Sequence, residues 1–353
     1  MPRTAVLATG FHVPSKIVTN DDLAKLMETS DEWIVQRSGI KQRHWVSPGE
    51  TGATLARDAT KKALAKAGLD ANEIDCIIYC TCTPDHFEPG NGVFLQRELG
   101  LTDIPAMDVR TQCSGFIYGL SVADAWIRMG QYKRILLVGA DRMSATINWR
   151  DRSFATVLGD AGTAALCVAV PEAEDWFSPS QFWGWLDGSQ AGIIRTPAGG
   201  SRHPSLSAEA VKTGAHRLAM DGAAVREILV PFMSGPALDA TLAKAGWAIE
   251  SLDFVALHEA NLTLNGSIVK AWRERGFRGE VLSGEGRFGN TTSASIPLAL
   301  AMHPDALKVG SRFGLFGFGG GLSASFALGT LRHPLRTWTN LDQRPASAAK
   351  PGL

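Results

Sequence analysis

The sequence predicts a duplicated α/β protein, and three observations lead to that fold class. The chain has 353 residues, of which 45% are hydrophobic and 20% are charged, as is typical of a globular protein with a large core. Short apolar runs alternate with helix-forming stretches, a pattern that favours sheets covered by helices. The sequence also repeats itself at a fixed distance, which indicates that one α/β unit occurs twice.

Charge and hydropathy exclude several classes of protein. The chain has 35 Lys and Arg against 35 Asp and Glu, so no basic surface for nucleic acid or anionic lipid is indicated. Apolar runs such as Ile135–Ala140 and Ala164–Val170 are far shorter than the ~20 residues of a membrane-spanning helix. No long apolar segment follows the N-terminus, so we expect no export signal and a cytoplasmic location. The five cysteines, an odd number, do not indicate a disulfide framework.

The internal repeat is carried by matched segments at one offset. The pentapeptide Leu64–Gly68 recurs as Leu242–Gly246, 178 residues further along the chain. The segment Arg134–Gly139 matches Arg312–Gly317 at the same offset, with Arg, Leu and Gly shared. Because the offset is constant over a long span, we interpret the match as duplication rather than coincidence.

The first half reads as an alternation of helices and strands. A helix is predicted over Thr54–Ala67, because its composition favours a helix and Gly68 suits the position after its end. The apolar run Cys76–Cys82 is short and bounded by polar residues, which is typical of a buried strand. The elements predicted next are strand Ile104–Val109, helix Ser114–Met129 and strand Arg134–Val138.

The repeat divides the chain into two halves and a tail. We expect an N-terminal half over residues 1–172 and a C-terminal half over residues 173–332. The stretch around the boundary is rich in Trp, Gly, Ser and Pro, and its tryptophans favour packing over a free linker. Residues 333–353 are polar and rich in Pro and Ala, so we expect a flexible tail.

Cys113 is a candidate nucleophile because of its position between a strand and a helix. The N-terminus of a helix offers unpaired N–H groups and a positive dipole end, which lower the pKa of a thiol and can hold an oxyanion. A small buried hydrophobic side chain is the alternative, and the residues alone leave it open. The other cysteines lie in predicted strands and are expected to be structural: Cys76, Cys80, Cys82 and Cys167.

Two further loops carry polar candidates. His258 follows a predicted strand with Asn261 three residues on, and such groups can donate to a substrate carbonyl, although a structural role is the alternative for a lone histidine. Asn290 lies in a turn that leads into a helix. At the repeat offset Cys113 corresponds to Thr291, beside Asn290. Duplication therefore predicts that the two turns face each other.

A glycine-rich run follows Phe318 near the end of the second half. Residues Gly319–Gly321 lack a Cβ, so their backbone N–H groups can approach a ligand closely. A tight connection between strands explains the same run equally well.

The chain resembles the β-ketoacyl synthase III family of the thiolase-like superfamily over about residues 3–331. The resemblance rests on several motifs: Thr29–Val35 with Arg37 and Gly39-Ile40, Cys113-Ser114-Gly115-Phe116, Gly159-Asp160, His258-x-Ala260-Asn261, Gly289-Asn290-Thr291 and Gly319–Gly321. It implies a thiolase-like duplicated fold of five layers, αβαβα, and a homodimer.

The resemblance also implies a reaction and its residues. Cys113, His258 and Asn290 would be catalytic, and the N–H groups of Cys113 and Gly320 would hold an oxyanion. An acyl-CoA would acylate Cys113, and a malonyl thioester, carried by CoA or by acyl carrier protein, would then lose carbon dioxide and condense with the acyl group. No metal and no separate cofactor are implied.

Substrate contacts follow from the same resemblance. Trp33 and Arg152 would sandwich the adenine of coenzyme A, and Arg37 would lie near phosphate. Asn261 and Phe318 would border the substrate, and Phe318 would help to exclude water.

Departures from the family pattern leave alternatives. Glu259 replaces the usual Gln, and a charge there is expected to raise the pKa of His258. Thr263 replaces a basic residue that docks acyl carrier protein, which weakens the case for that partner. The alternatives are a secondary-metabolite condensing enzyme of the alkylquinolone or polyketide-starter type and an acyltransferase of the same fold. A biosynthetic thiolase is disfavoured, because Phe316–Leu322 has no second cysteine.

Overall fold

Two five-stranded sheets form the framework of the protein in the computed structural model, which describes residues 2–176, 182–203 and 205–336. The strands are β1 Arg3–His12, β2 Lys16–Thr19, β3 Gln42–Trp45, β4 Cys76–Cys80, β5 Ala106–Val109, β6 Arg134–Arg142, β7 Asp160–Val170, β8 Phe182–Leu186, β9 Ile194–Arg195, β10 Ala219–Met220, β11 Phe254–Leu257, β12 Glu280–Leu282, β13 Arg312–Gly319 and β14 Ser323–Thr330. The helices are α1 Asn20–Ala24, α2 Asp31–Ser38, α3 Gly52–Ala67, α4 Asn91–Glu98, α5 Gly115–Arg128, α6 Arg152–Ala155, α7 Ala208–Thr213, α8 Gly222–Ser234, α9 Pro236–Ala245, α10 Leu262–Glu274 and α11 Ser295–Met302.

The two sheets have the same topology. The first has the order β1-β7-β6-β4-β5 and the second the order β8-β14-β13-β11-β12. In each sheet, the three strands at one end are parallel to one another. Each of the remaining two strands pairs antiparallel with its neighbours. Strands β4 and β11, like β6 and β13, begin 178 residues apart. The predicted duplication is therefore confirmed.

Helices and sheets stack in five layers. Helices α5 and α11 lie between the sheets, because one apolar cluster joins α5 and β4 of the first half to α11 and β11 of the second. Helix α3 packs on the outer face of the first sheet, and α8 to α10 cover the outer face of the second. The predicted αβαβα fold is confirmed.

The position of strand β4 between two layers of helices explains its continuous apolar run. Ile77 and Tyr79 face the outer cluster with α3, whereas Ile78 and Cys80 face the central cluster with α5. Successive strand residues point to opposite faces, so a strand between two helical layers needs apolar side chains at every position.

Most predicted elements differ from the structure by a few residues at their ends, and two of these differences have a local cause. Helix α3 starts two residues earlier, at Gly52, because Thr51 and Thr54 form a reciprocal cap at its N-terminus. Strand β4 ends at Cys80 rather than Cys82, because the N–H of Cys82 bonds to the buried carboxylate of Asp141 (2.8 Å). Cys82 therefore lies outside the strand, and its prediction as a buried strand residue was wrong.

The turns before the central helices correspond at a slightly different offset. A 3₁₀ turn at Gln112–Ser114 precedes α5, and its counterpart at Thr292–Ala294 precedes α11. Gln112 and Thr292 share a left-handed backbone, with φ of 48° and 49°. Cys113 thus corresponds to Ser293 rather than to Thr291 as predicted, because the segment from the start of β11 to the second turn is two residues longer than the segment from the start of β4 to the first turn.

The end of the described chain packs on the first half. Leu335 is buried in the central cluster, and Arg336 pairs with Ala8 beside strand β1. Residues 337–353 of the predicted tail, with Phe177 and Pro204, lie outside the described residues. Within the described part of the chain, no helix has the length and apolar character that crossing a membrane requires.

Candidate active site

One cavity of about 660 Å³ brings together side chains of both halves. It is lined by Cys113 at the turn before α5, His258 after β11, and Asn290 before the turn that leads into α11. Phe318 and Gly320, at the end of β13 and just after it, line the same cavity. The structure therefore brings the three predicted catalytic residues and the predicted oxyanion glycine to one place.

The thiol of Cys113 lies in close contact with the glycine-rich run. A Cβ at Gly319 would lie 2.9 Å from Cys113 Sγ, so only glycine leaves room for the sulfur there. The backbone N–H groups of Cys113 and Gly320 act on the thiol and lower its pKa. These are the two groups predicted to hold an oxyanion.

The pKa of Cys113 does not follow the sequence expectation. Burial raises the pKa of Cys113 to about 12, and the charge of Asp141 contributes in the same direction. The N–H groups of Cys113 and Gly320 lower it, but they offset only part of the effect of burial. The unliganded thiol is therefore protonated at neutral pH, and it needs a base to become a nucleophile.

His258 is the candidate for this base, because the proton of its neutral ring is on the far side from the cavity. Nδ1 lies 2.7 Å from Ser295 Oγ, which donates its own proton to the Thr292 carbonyl (2.8 Å). That carbonyl also forms a hydrogen bond with the ring. Nδ1 must then carry the proton, which leaves a lone pair on Nε2. Among the described residues, the buried Nε2 has no hydrogen-bond partner.

Burial also fixes the charge of His258. The side chain is fully buried and packs edge-on against Phe318, with ring centroids 5.6 Å apart. Burial lowers the pKa of His258 to about 3, so the imidazole is neutral at physiological pH.

Asn290 presents its amide nitrogen to the cavity. Its Oδ1 accepts a hydrogen bond from the N–H of Thr292 (3.0 Å), and because a backbone N–H only donates, the atom on that side is the oxygen. The Nδ2 group is left as a double donor on the cavity side. A donor of this kind suits a substrate carbonyl that becomes an enolate oxygen.

Glu259 points away from His258, and the expectation that it raises the pKa of His258 was wrong. Its carboxylate is buried and accepts hydrogen bonds from the N–H groups of Gly284 (2.5 Å) and Gly286 (3.2 Å). Burial raises the pKa of Glu259 itself. The carboxylate therefore anchors a neighbouring turn, while burial is the main cause of the neutral charge of the histidine.

A second cavity of about 280 Å³ meets the first at Asn290, which lines both. It is lined by Trp33 and Arg37 of α2 and by Ser153 of α6. The guanidinium carbons of Arg37 and Arg152 lie 4.8 and 4.9 Å from the Trp33 ring centroid. The structure thus brings together the residues of the predicted adenine site. Arg152 stacks directly on Trp33, so the two side chains close the space between them that was predicted for adenine.

Asn261 and Thr263 hold the wall of this second cavity. Asn261 Oδ1 accepts from the N–H groups of Thr263 and Leu264 and so caps α10, and its Nδ2 donates to the Arg37 carbonyl. Thr263 Oγ1 lies 2.8 Å from the same carbonyl. Both side chains fix α2 against α10. Asn261 therefore lines the second cavity with polar atoms that already form hydrogen bonds within the protein.

Sequence reasoning missed Ser295, Thr292 and Cys82. Ser295 and Thr292 set the orientation of His258 and Asn290, and Cys82 lines the main cavity. A run of hydroxyl residues beside Asn290 was the available signal, but which of them bonds to which partner depends on the three-dimensional turn.

The duplicated fold and the Cys, His and Asn side chains in one cavity define a thiolase-like, acyl-transferring condensing enzyme. Two family models match, 3-oxoacyl-[acyl-carrier-protein] synthase III at residues 107–182 and its C-terminal counterpart at residues 242–330. A β-ketoacyl-[acyl-carrier-protein] synthase III of Chlamydia pneumoniae is 36% identical over 91% of this chain and 95% of that protein. This chain belongs to the β-ketoacyl-[acyl-carrier-protein] synthase III family.

Solved structures agree with this assignment. The 3-oxoacyl-(acyl carrier protein) synthase III of Pseudomonas aeruginosa matches with a TM-score of 0.82 and 31% identity, over 94% of this chain and 99% of that one. The priming β-ketosynthase of the R1128 polyketide pathway matches with a TM-score of 0.84 and 28% identity, over 94% and 97%.

Proposed function

We propose that this protein condenses an acyl-CoA starter with a malonyl thioester, with loss of carbon dioxide and with the acyl group carried on Cys113. The observation that carries the proposal is the shared cavity, in which the thiol, the lone pair of His258 Nε2 and the amide of Asn290 meet. Family membership supports the same reaction class. The secondary-metabolite and acyltransferase alternatives have no such support from the curated relatives.

In the first half-reaction, Nε2 of His258 accepts the proton of the Cys113 thiol. The sulfur forms a bond to the thioester carbonyl carbon, and the N–H groups of Cys113 and Gly320 stabilise the oxyanion. The bond from that carbon to the CoA sulfur then breaks. The departing thiolate takes the proton from His258, so the ring returns to neutrality.

In the second half-reaction, the malonyl thioester presents its carbonyl to Asn290 Nδ2 and to His258. The unliganded ring is neutral, so Nε2 takes up a proton from solvent only as negative charge develops on the thioester oxygen. The carboxylate leaves as carbon dioxide while its electron pair forms the enolate, to which the protonated Nε2 then donates. The enolate carbon attacks the acyl carbonyl, and the bond to Cys113 breaks. The thiolate then takes the proton from His258, so the cycle consumes one proton.

The second cavity is the proposed path of the phosphopantetheine arm. It leads from the exposed cations around Trp33 to Asn290, and the planar guanidinium of Arg152 would stack on adenine after leaving Trp33. Arg37 would meet phosphate. Phe318 would keep water from the acyl group, since it is buried against His258.

The main cavity suits an apolar starter larger than acetyl. Its volume of about 660 Å³ is many times that of two carbon atoms, and most of its walls are apolar. The apolar lining includes Met143, Phe154, Ile194, Leu218, Met220 and Leu229.

The extender is proposed to arrive on acyl carrier protein. Thr263 supplies no charge for that acidic partner. Arg226 of α8 supplies a cation close by, because it lines the second cavity and donates to Ser267 of α10 (2.7 Å), beside Thr263. We further propose a cytoplasmic homodimer, which is the location and assembly expected from the sequence. We also propose that it uses no metal or separate cofactor, because the proton and electron movements above are complete with side chains and substrates.

A coupled assay tests the proposal. Protein is incubated with acyl-CoA starters of increasing length together with malonyl-CoA or malonyl carrier protein, and β-ketoacyl product and carbon dioxide are measured. We expect both products in equal amounts, with a medium-chain starter used better than acetyl-CoA. Acyl transfer without carbon dioxide release, across the whole panel, would contradict the proposal.

A further inference from the structure

A buried carboxylate joins the two halves directly behind the active site. Asp141, near the end of β6, is fully buried. Its Oδ1 accepts hydrogen bonds from Thr81 Oγ1 (2.8 Å), Cys82 N (2.8 Å) and Thr83 Oγ1 (2.8 Å) of the first half. Its Oδ2 accepts from the hydroxyl groups of Thr292 and Ser293 of the second half. The donors on both sides are hydroxyl and backbone N–H groups.

Thr292 is the residue through which this carboxylate reaches the reacting groups. Its N–H donates to Asn290 Oδ1, and its carbonyl accepts from Ser295 and from the His258 ring. Its φ of 49° is unusual for a β-branched residue. Such a conformation persists only where its surroundings hold it, and the bond from Thr292 Oγ1 to Asp141 supplies that restraint.

The other oxygen of Asp141 holds the wall on the nucleophile's side. The N–H groups of Cys82 and Thr83 bond to Oδ1, and Cys82 lines the cavity together with Cys113. One carboxylate therefore fixes the segment beside the nucleophile relative to the turn that orients His258 and Asn290.

We propose that Asp141 is a positioning residue for catalysis, which acts through Thr292 to hold His258 and Asn290 in the geometry that decarboxylation requires. The inference rests on the proposed function. Decarboxylation uses both of these side chains whereas acylation of Cys113 uses His258 alone, so the two half-reactions respond differently to the loss of Asp141.

The test compares Asp141→Asn with a matched pair at Thr292. Asparagine keeps the shape, but its amide nitrogen cannot accept from the donors on one side. Thr292→Val removes the hydroxyl, whereas Thr292→Ser retains it. We expect Asp141→Asn and Thr292→Val to lower kcat for carbon dioxide release about 100-fold, with KM for the malonyl thioester little changed and acylation of Cys113 less affected. Thr292→Ser is expected to stay close to wild type.

A control separates positioning from stability. Asp124 is also buried, but it pairs with Arg128 on α5, away from the cavity. Asp124→Asn is expected to lower the melting temperature and to leave the ratio of the two half-reactions unchanged. If Asp141→Asn does not fold, the Thr292 pair decides the question.

The outcomes distinguish this inference from the proposed function. Equal loss in both half-reactions, or no difference between Thr292→Val and Thr292→Ser, would overturn the role of Asp141. A wild-type protein that acylates Cys113 without releasing carbon dioxide from a malonyl thioester would instead contradict the proposed function.

Discussion

The ring of His258 is bound through Nδ1 to Ser295, whose hydroxyl lies 2.7 Å away and donates onward to the Thr292 carbonyl. The cavity therefore receives the unprotonated Nε2. Because the pKa of Cys113 is raised to about 12, the proposed pair is a protonated thiol and a neutral base that line one cavity. In the proposed reaction, proton transfer accompanies the attack on the thioester.

This relationship predicts an unusual pH dependence for acylation of Cys113. Since burial lowers the pKa of His258 to about 3, the base stays unprotonated well below neutrality. The single-turnover rate should be flat between about pH 5.5 and 8, where a histidine of ordinary pKa would titrate. Quenched-flow mass spectrometry measures this rate, and a tenfold fall centred near the ordinary histidine pKa would refute the assignment.

Asn290 is predicted to serve decarboxylation alone. Replacement by alanine removes the Nδ2 donor, and loss of one donor to a developing oxyanion costs about 10²- to 10³-fold. Asn290→Ala should therefore acylate normally but release carbon dioxide from malonyl thioester at least about 100-fold more slowly. Labelled carbon dioxide is the readout, and release at the wild-type rate would exclude this role.

Gly319 is predicted to be required for space beside the nucleophile. In Gly319→Ala the new Cβ would lie 2.8 Å from Cys113 Cβ and 2.9 Å from its Sγ, so the sulfur must move. Acylation should fall by about 100-fold or more. Gly266→Ala on α10 is the control, because beyond its own helix its Cβ would meet no atom of the described residues within 4 Å. Similar rates for the two variants would show that the contact at Gly319 does not matter.

Glu259 is predicted to make stability depend on pH. Burial raises its pKa above the ordinary 4.5, so the folded protein binds this proton more tightly than the unfolded chain does. The stabilisation is complete below the unfolded pKa and is lost as the pH rises through the folded pKa.

The variant Glu259→Gln lacks that titration. The melting temperature of wild type relative to Glu259→Gln should therefore fall as the pH increases from about 4.5 to neutrality. Glu227→Gln, at an exposed position of α8, is the control and should show no such trend. A difference that rises with pH would mean that the backbone bonds to Glu259 outweigh its burial.

The features that sequence reasoning predicted are those with a local signal. The repeat and the apolar runs gave the two sheets, and position at the end of a strand or in a turn singled out Cys113, His258 and Asn290. The repeat offset of 178 residues gave a counterpart of Cys113 that is wrong by two positions. Duplicated halves tolerate changes of length between strands and helices, so one offset does not hold in every loop.

The features that it missed depend on contacts between distant parts of the chain. Ser295 lies 37 residues from the histidine it orients, and Thr292 lies 151 residues from Asp141. The raised pKa of Cys113 also depends on the burial of its thiol, which only the packed structure defines. Helix position alone therefore gave the wrong direction for that pKa.

Intact-mass spectrometry of the acylated protein tests the central claim most directly. The protein is incubated with a medium-chain acyl-CoA, and then with a malonyl thioester. We expect a single acyl adduct that is absent in Cys113→Ala and that disappears from the wild type as β-ketoacyl product forms. An adduct that survives in Cys113→Ala, or one that malonyl thioester does not discharge, would contradict it.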